Sequence, residues 1–436
     1  MGGAVVQRSE TLILGFPEAL AEVLRHAAGI QPPAPETVSL LDASGRVLAQ
    51  DIAADRDQPP FDRATRDGFA VSAQQWSAGQ RLRIAGQIRA GEAWPSAATQ
   101  PSAATQSSAA MKPGEAIEIM TGAAVPPGAD AVAMIEHVVR DGDHIHAAPG
   151  RRLQPGENIV PRAAEAAQGQ VLLPAGTPIG AAEIAVAAAS GRAQLAVFRR
   201  PTVAIVATGD ELVELDQAPA PHQIRNSNGY ALAALVAAAG ADPRRLPIAR
   251  DTLADVRANI ADGRQCDLLL LSGGVSAGKY DLVEEVLAEF GAEFFFTGVR
   301  MQPGKPVVFG RLPAQAATSD AAPQPACYFF GLPGNPISTQ VTFHCFVQPL
   351  LRAMCGAGAS APNFVQATLA EEVHGKPGLT RLLPARLHHD LERPEVHIVG
   401  WQGSGDQTAN ARANCYAVLP DGRDLIPGDV ITVLLR

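Results

Sequence analysis

The chain has 436 residues, a net charge of −9, and 47% hydrophobic against 18% charged residues, enough apolar material for several buried cores. No Lys/Arg cluster supplies the basic face that a nucleic-acid partner needs, and no apolar run is long enough to cross a membrane as a helix. Cys266, Cys327, Cys345, Cys355 and Cys415 are scattered and form no C-x-x-C, which points to reduced thiols in a cytoplasmic protein rather than a disulfide framework or zinc ribbon.

In chain order, PEALAEVLRHAA (17–28) predicts a helix, and the Pro-rich QPPAPE (31–36) a hinge. Residues 70–175 read as short strands broken by Gly and Pro. Within them, PSAATQPSAATQ (95–106) is a tandem hexapeptide, so 95–110 is expected to be a mobile surface insertion; 311–326 has a similar composition. From 202 to 355 strands and helices alternate. TVAIVAT (202–208) reads as a strand, 228–240 as a helix, RLPIAR (245–250) as a short strand, and 252–263 as a helix opened by a T-x-x-D capping box. DLLLLS (267–272) then reads as a central strand, 281–290 as an amphipathic helix, 327–331 as a strand and 335–356 as a long helix with Asn335 at the N-cap and Pro336 at N1. This rhythm predicts a doubly wound α/β sheet. After 360, the alternating FVQATLAEEV, EVHIVGW, NCYAVLP and DVITVLL predict a small β-sandwich or barrel.

In an open α/β sheet, ligands sit beyond the carboxyl ends of the strands. Three such ends are loaded: Gly209-Asp210-Glu211, Gly273-Gly274-Val275-Ser276, and Leu332-Pro333-Gly334-Asn335-Pro336. Glycines let backbone amides approach a phosphate closely. The stretch 273–279 matches G-x-x-x-x-G-K, but Tyr280 stands where a P-loop needs a Ser or Thr hydroxyl on Mg²⁺. Asp210, Glu211, Asp251 and Asp281 fall at strand ends or helix starts of this module. Singly, each is explained by capping or solvation. Together they suit a phosphate ester held through Mg²⁺, since carboxylates otherwise repel a phosphate. Lys305, between a Gly and a Pro, is a solvated cation or a phosphate contact. Asp67-Gly68 and Thr121-Gly122 read as turns, and Ser404 lies in a Gly-rich polar loop that either binds a ligand or makes the turn.

The motifs GRVLAQDI, PPFDRATRDGFAV, IMTGAAVPPGADAV, PGENI, VAIVATGDEL, LLLSGGVSAGKYD, MQPGKPVVFG, FGLPGNPIS and GSGDQTANARAN run in order from about 45 to 415. Together they resemble the molybdopterin molybdenumtransferase family, called MoeA in bacteria and the E domain of gephyrin in animals. The resemblance implies a four-domain protomer: a linker and dimerisation domain over 1–57 and 163–198, a small β domain over 58–162, an α/β molybdopterin-binding domain over 199–355, and a C-terminal β-barrel over 356–436. It implies that adenylylated molybdopterin and molybdate are the substrates, that Mg²⁺ is needed, that AMP is released, and that the protein is a homodimer. Its site lies between the α/β domain of one protomer and the small β domain of the other. The adenylyltransferase that makes the substrate and chaperones of molybdoenzymes are implied partners.

Carried over by motif, Asp67 and Thr121 are the second protomer's contribution. Glu211, Asp251 and Asp281 hold metal or pterin, while Gly209 and Asp210 line the pocket. Gly273, Gly274, Ser276 and Lys305 meet phosphate; Pro333, Gly334, Asn335 and Pro336 form the wall, and Ser404 reaches in from the last domain. Two departures stand out: Ala164-Glu165-Ala166 where the family often has Gly-Glu-Asp, and Gln302 where some members have Lys. The competing readings are a non-catalytic scaffold of the gephyrin kind, which would leave the acids dispensable, and a molybdopterin adenylyltransferase, which the extra domains disfavour.

Overall fold

The computed structural model describes residues 12–92, 94, 110–274, 282–315, 325–388 and 393–436, which form two compact units. The insertion 95–109 and most of 311–326 lie outside the described residues, as do Ser276 and Asp281.

The larger unit contains residues to 49, 176–180 and 194–436. At its centre is a six-stranded sheet in the order Asp242–Arg245, Thr202–Ala207, Leu268–Ser272, Cys327–Leu332, Val308–Leu312, Glu293–Phe296. The first four strands are parallel, and Val308–Leu312 pairs antiparallel with both of its neighbours, Cys327–Leu332 and Glu293–Phe296. Strand periodicity sends Val203, Ile205, Leu268 and Leu270 to one face, and Ala204, Val206, Leu269 and Leu271 to the other. The first face is covered by helices Phe16–Ala28 and Ser227–Ala238 and by the run 336–354. The second is covered by helices Leu253–Gly263 and Leu282–Glu289. Both faces are therefore buried, which is why the central strands read as continuous apolar runs. The helix Phe16–Ala28 joins this core through Phe16, Ala19, Val23 and Ala27, one stripe at helical spacing.

A second sheet closes on itself. Thr380–His388 pairs both with Glu395–Ile398 and with Cys415–Leu419, and Phe364–Leu369 and Val430–Leu435 complete the ring around a core that includes Leu383, Val396 and Val433. The expected doubly wound sheet and C-terminal barrel are thus both present. The ring is joined to the α/β part by Gly298–Gln302, whose Met301 and Gln302 pair with Thr380 and Arg381.

Two sequence expectations shift. The strand assigned to 245–250 lies at Asp242–Arg245, because DPRR pairs in parallel with 202–205 at the sheet edge although its four residues are exposed and carry no apolar alternation. The long helix beginning at Pro336 is interrupted by a π-turn over Phe343–Val347 and resumes to Met354.

The smaller unit contains 50–175 and 181–193. Its six-stranded sheet runs Ala131–Met134, Gly68–Val71, Glu115–Ile119, Leu82–Ile88, His144–Ala147, Val138–Asp141. Phe69 and Val71 pack to one side, Ala70, Ile117 and Ile119 to the other. All five cysteines are buried and unpaired. No described helix is long and apolar enough to cross a membrane.

Candidate active site

Strand register builds the site. Ala207 pairs with Ser272, and Ser272 with Leu332, so three parallel strands end side by side and the loops 208–211, 273–274 and 333–336 emerge together. The chain leaves the first of these strands for the sheet edge at 242–245 and returns on its other side at 268–272. That reversal is where open α/β sheets place ligands.

The loops are tied by hydrogen bonds. Thr208 N–H donates to the Ser272 carbonyl at 3.0 Å, Gly273 N–H to the Leu332 carbonyl at 3.0 Å, and Gly209 N–H to the Ala249 carbonyl at 3.1 Å. Asp210 N–H donates to Asp251 Oδ2 at 3.4 Å and Asp251 N–H to Asp210 Oδ1 at 3.2 Å, a reciprocal clasp. Arg250 Nη1 straps the turn by donating to the carbonyls of Asp210 at 3.1 Å and Leu212 at 3.3 Å. Glu211 is exposed beside them, and its carboxylate makes no hydrogen bond among the described residues.

Steric room fixes the glycines. Gly273 has φ +97°, and a Cβ there would stand 2.7 Å from the Thr208 carbonyl oxygen. Gly274 has φ +66°, and its Cβ would stand 2.9 Å from Thr208 Oγ1 and 3.0 Å from Val283 Cγ2. Only glycine satisfies both backbone and space. Thr208 Oγ1 is buried without a partner among the described residues, a polar atom left over at the base of the loop.

The third loop is braced from below. Thr339 Oγ1 donates to the Pro333 carbonyl at 2.6 Å and to the Asn335 carbonyl at 3.0 Å. Asn335 is at the N-cap as expected, but its side chain makes no capping bond. Ser404 contributes its carbonyl, which accepts from Ile337 N–H at 2.9 Å, and so meets the helix start by backbone rather than by hydroxyl. Lys305 is exposed after Gly304, with no described carboxylate partner. Gln302 accepts from Lys376 Nζ at 3.3 Å.

Sequence reasoning missed Asn228. Its Nδ2 donates to Ser272 Oγ at 3.0 Å and to the Gly334 carbonyl at 2.7 Å, linking the second loop to the third. Asn226 caps the same helix through Gly229 N–H at 3.0 Å. The signal was the pair of asparagines in RNSNGY, between a polar Pro-containing stretch and an apolar helix.

In the smaller unit, Asp67 and Thr121 meet each other. Thr121 N–H and its hydroxyl both donate to Asp67 Oδ1 at 2.7 Å, and these two bonds hold the exposed carboxyl below the usual range. Gly68 sits against Ala133, whose carbonyl oxygen would be 1.9 Å from an added Cβ. Glu165, the acid kept within Ala164-Glu165-Ala166, pairs with Arg63 at 2.8 Å.

Hard carboxylate oxygens at Asp210, Glu211 and Asp251 and the leftover Thr208 hydroxyl fit a magnesium–phosphate ligand in kind. Among the described residues, no group of three or more His, Cys, Asp or Glu is arranged to hold a metal.

Family models match three consecutive stretches: the MoeA N-terminal region (domain I and II) over 14–191, the Probable molybdopterin binding domain over 204–353, and the MoeA C-terminal region (domain IV) over 366–435. The chain is 37% identical over 409 residues to the molybdopterin molybdenumtransferase of Nostoc sp., covering 92% of this chain and 88% of that protein. It is 32% identical to the protein of the same name from Bacillus subtilis, covering 92% and 89%. The molybdopterin biosynthesis MoeA protein of Pyrococcus horikoshii OT3 superposes with a TM-score of 0.75 at 26% identity, covering 97% of this chain and all of that one. The chain belongs to the molybdopterin molybdenumtransferase (MoeA) family.

Proposed function

We propose that the protein transfers molybdenum from molybdate to adenylylated molybdopterin with release of AMP. The observation that carries this reading is the alignment of three strand ends, which puts the Asp210–Asp251 clasp beside the glycine pair and the Asn228-braced 333–336 loop. In the reaction, water attacks the phosphoanhydride as its P–O bond breaks, AMP departs and the pterin keeps its own phosphate, while the two soft dithiolene sulfurs displace molybdate oxygen, released as water, and hold the molybdenum.

The chain's own groups divide the work. Gly273 N–H is committed to Leu332, and Gly274 N–H, with no hydrogen-bond partner among the described residues, is the amide of this pair that would meet a phosphate oxygen. Lys305 offers a point charge for an oxyanion. Glu211 and Asp251, with Asp281, would hold Mg²⁺, which when bound withdraws charge from the anhydride and improves AMP as a leaving group. Arg250 keeps the 210–212 turn in place by its two carbonyl contacts.

We further propose that the protein is a cytoplasmic homodimer in which Asp67 and Thr121 of one protomer serve the ligand held by the other. The support is the family resemblance together with the Asp67 carboxylate, which keeps one oxygen beyond its two Thr121 bonds. Mixing Asp67→Ala with Asp251→Ala protomers then restores about half of the wild-type turnover per heterodimer, because one of the two sites is assembled from intact halves. Heterodimers as inactive as both parents contradict the arrangement. The activity itself is tested by supplying adenylylated molybdopterin, molybdate and Mg²⁺ and measuring AMP and pterin-bound molybdenum; AMP without bound molybdenum overturns the transfer reading.

A further inference from the structure

The opposite end of the same sheet carries a second cavity. The loops of the candidate active site follow the carboxyl ends of the strands, whereas Phe198, Arg199 and Arg200 lie just before Pro201 and the amino end of the strand Thr202–Ala207. The helix Ser227–Ala238 runs back along the sheet and delivers Ala238, Ala239 and Gly240 to the same end. Between them lies a cavity of about 470 Å³, within the roughly 300–1,000 Å³ usual for small-molecule sites.

Its charge is one-sided. Arg46, Arg199, Arg200 and Arg352 line it, and no Asp or Glu does. Two of the four guanidiniums are already matched. Arg46, whose side chain is 8% exposed, is paired with Glu36 and donates to the Phe198 carbonyl at 2.8 Å. Arg199 forks onto both oxygens of Asp267 at 3.2 Å. The other two are not matched. Arg200 is half-buried; its carbonyl accepts from Arg199 Nη1 at 2.9 Å, but its guanidinium makes no hydrogen bond or ion pair among the described residues. Arg352, also half-buried, has only a 3.4 Å contact to Asn363 Oδ1. Asp242 acts on the nearby Cys355 thiol but lies outside the lining. Four guanidiniums against the two carboxylates paired to them leave two positive charges, the complement of a phosphate monoester dianion.

Much of the remaining wall is apolar, with Val47, Pro178, Ile179 and Phe198, and Gln348 and Ser360 are its uncharged polar members. The Phe198 ring lies against the Gly356 backbone, where an added Cβ would stand 2.2 Å from it. A flat apolar body could lie on the ring while its phosphate meets the two unmatched arginines.

We propose that this cavity binds a small aromatic phosphate monoester, at a site separate from the Asp210–Asp251 loops. Phenyl phosphate is the probe, with phenol and inorganic phosphate as the two halves of the ligand. Titration calorimetry on the full chain is expected to show saturable one-site binding of phenyl phosphate and at least tenfold weaker binding of either half. Arg200→Met and Arg352→Met keep the aliphatic stems and remove the charge. Each is expected to weaken phenyl phosphate about tenfold or more, as loss of a charge-assisted hydrogen bond does. Asp251→Ala is expected to leave that affinity within about twofold, since it changes only the other end of the sheet. Circular dichroism checks each fold, and if one arginine variant misfolds the other decides. Absence of binding, inorganic phosphate binding as tightly as phenyl phosphate, or arginine variants that bind like wild type would overturn the proposal. So would a tenfold loss in Asp251→Ala, which would place the ligand in the candidate active site.

Discussion

Asp67 and Asp251 are both exposed acids on turns, and both begin as ordinary loop residues in the sequence. In the smaller unit, Asp67 receives the N–H and hydroxyl of one threonine, so its local structure accounts for one of its oxygens twice over. In the larger unit, Asp251 and Asp210 each accept one longer backbone N–H bond, from the other, at a place where two more strand ends and a glycine pair converge. The difference teaches that neighbourhood sets what an exposed acid can do: Asp67 is anchored by one threonine of its own unit, whereas Asp251 stands among converging strand ends.

The comparison can be broken at several points. The largest effect is expected from Gly68→Ala, whose methyl meets the Ala133 carbonyl inside the small sheet. The loss is about 3 kcal/mol or more, seen as loss of the folded baseline of that unit in urea unfolding. Asp251→Ala comes next. Its side chain is exposed, so folding is retained, while AMP release falls about 100-fold as the loop pair loses its clasp and the proposed site loses a carboxylate. An unchanged rate would put Asp251 in the same class as a simple turn acid.

Asn228→Ala sharpens the contrast from the other side. It removes the bridge between Ser272 and Gly334 and leaves both groups short of a partner, at a cost of about 1–3 kcal/mol shared between stability and pterin-nucleotide affinity. Wild-type affinity and melting temperature together would show that the two loops hold themselves. A smaller change is expected from Thr121→Val, read by NMR of the Asp67 carboxyl. The pKa rises towards about 3.9 but stops short of it, because the backbone N–H, the larger cause, remains. A depressed carboxyl pKa stabilises the fold above the unfolded-state value and loses that contribution as pH falls through the folded value. Thr121→Val therefore narrows the loss to a pH window nearer 3.9, and an unmoved pKa contradicts the hydroxyl's part. The smallest effect belongs to deletion of 95–110, whose Pro-Ser-Ala-Thr-Gln repeat offers no core; the melting temperature is expected to move by less than about 4 °C.

Much of the fold was legible because its local and tertiary signals agree. Thr252 caps its helix through Asp255 N–H at 3.2 Å, as the T-x-x-D pattern required. The apolar runs at 202–208 and 267–272 are central strands buried on both faces. What escaped was decided by pairing and not by pattern. The edge strand Asp242–Arg245 is four exposed residues that pair only because 202–205 lies beside them. Thr380–His388, the longest barrel strand, contains Pro384 and two arginines that mask its alternation. At the site, the loaded strand ends were visible as Gly and Asp clusters, but Asn228 acts through residues 44 and 106 positions away, a link that no local window contains.

The central claim is that the three aligned strand ends form the site of molybdenum transfer. It is tested most directly by AMP release from adenylylated molybdopterin with Mg²⁺, measured with and without molybdate on the wild type and on folded Asp251→Ala. The account predicts molybdate-dependent AMP release by the wild type and about 100-fold less by the variant. Wild-type AMP release that ignores molybdate, or a variant as fast as the wild type, would contradict it.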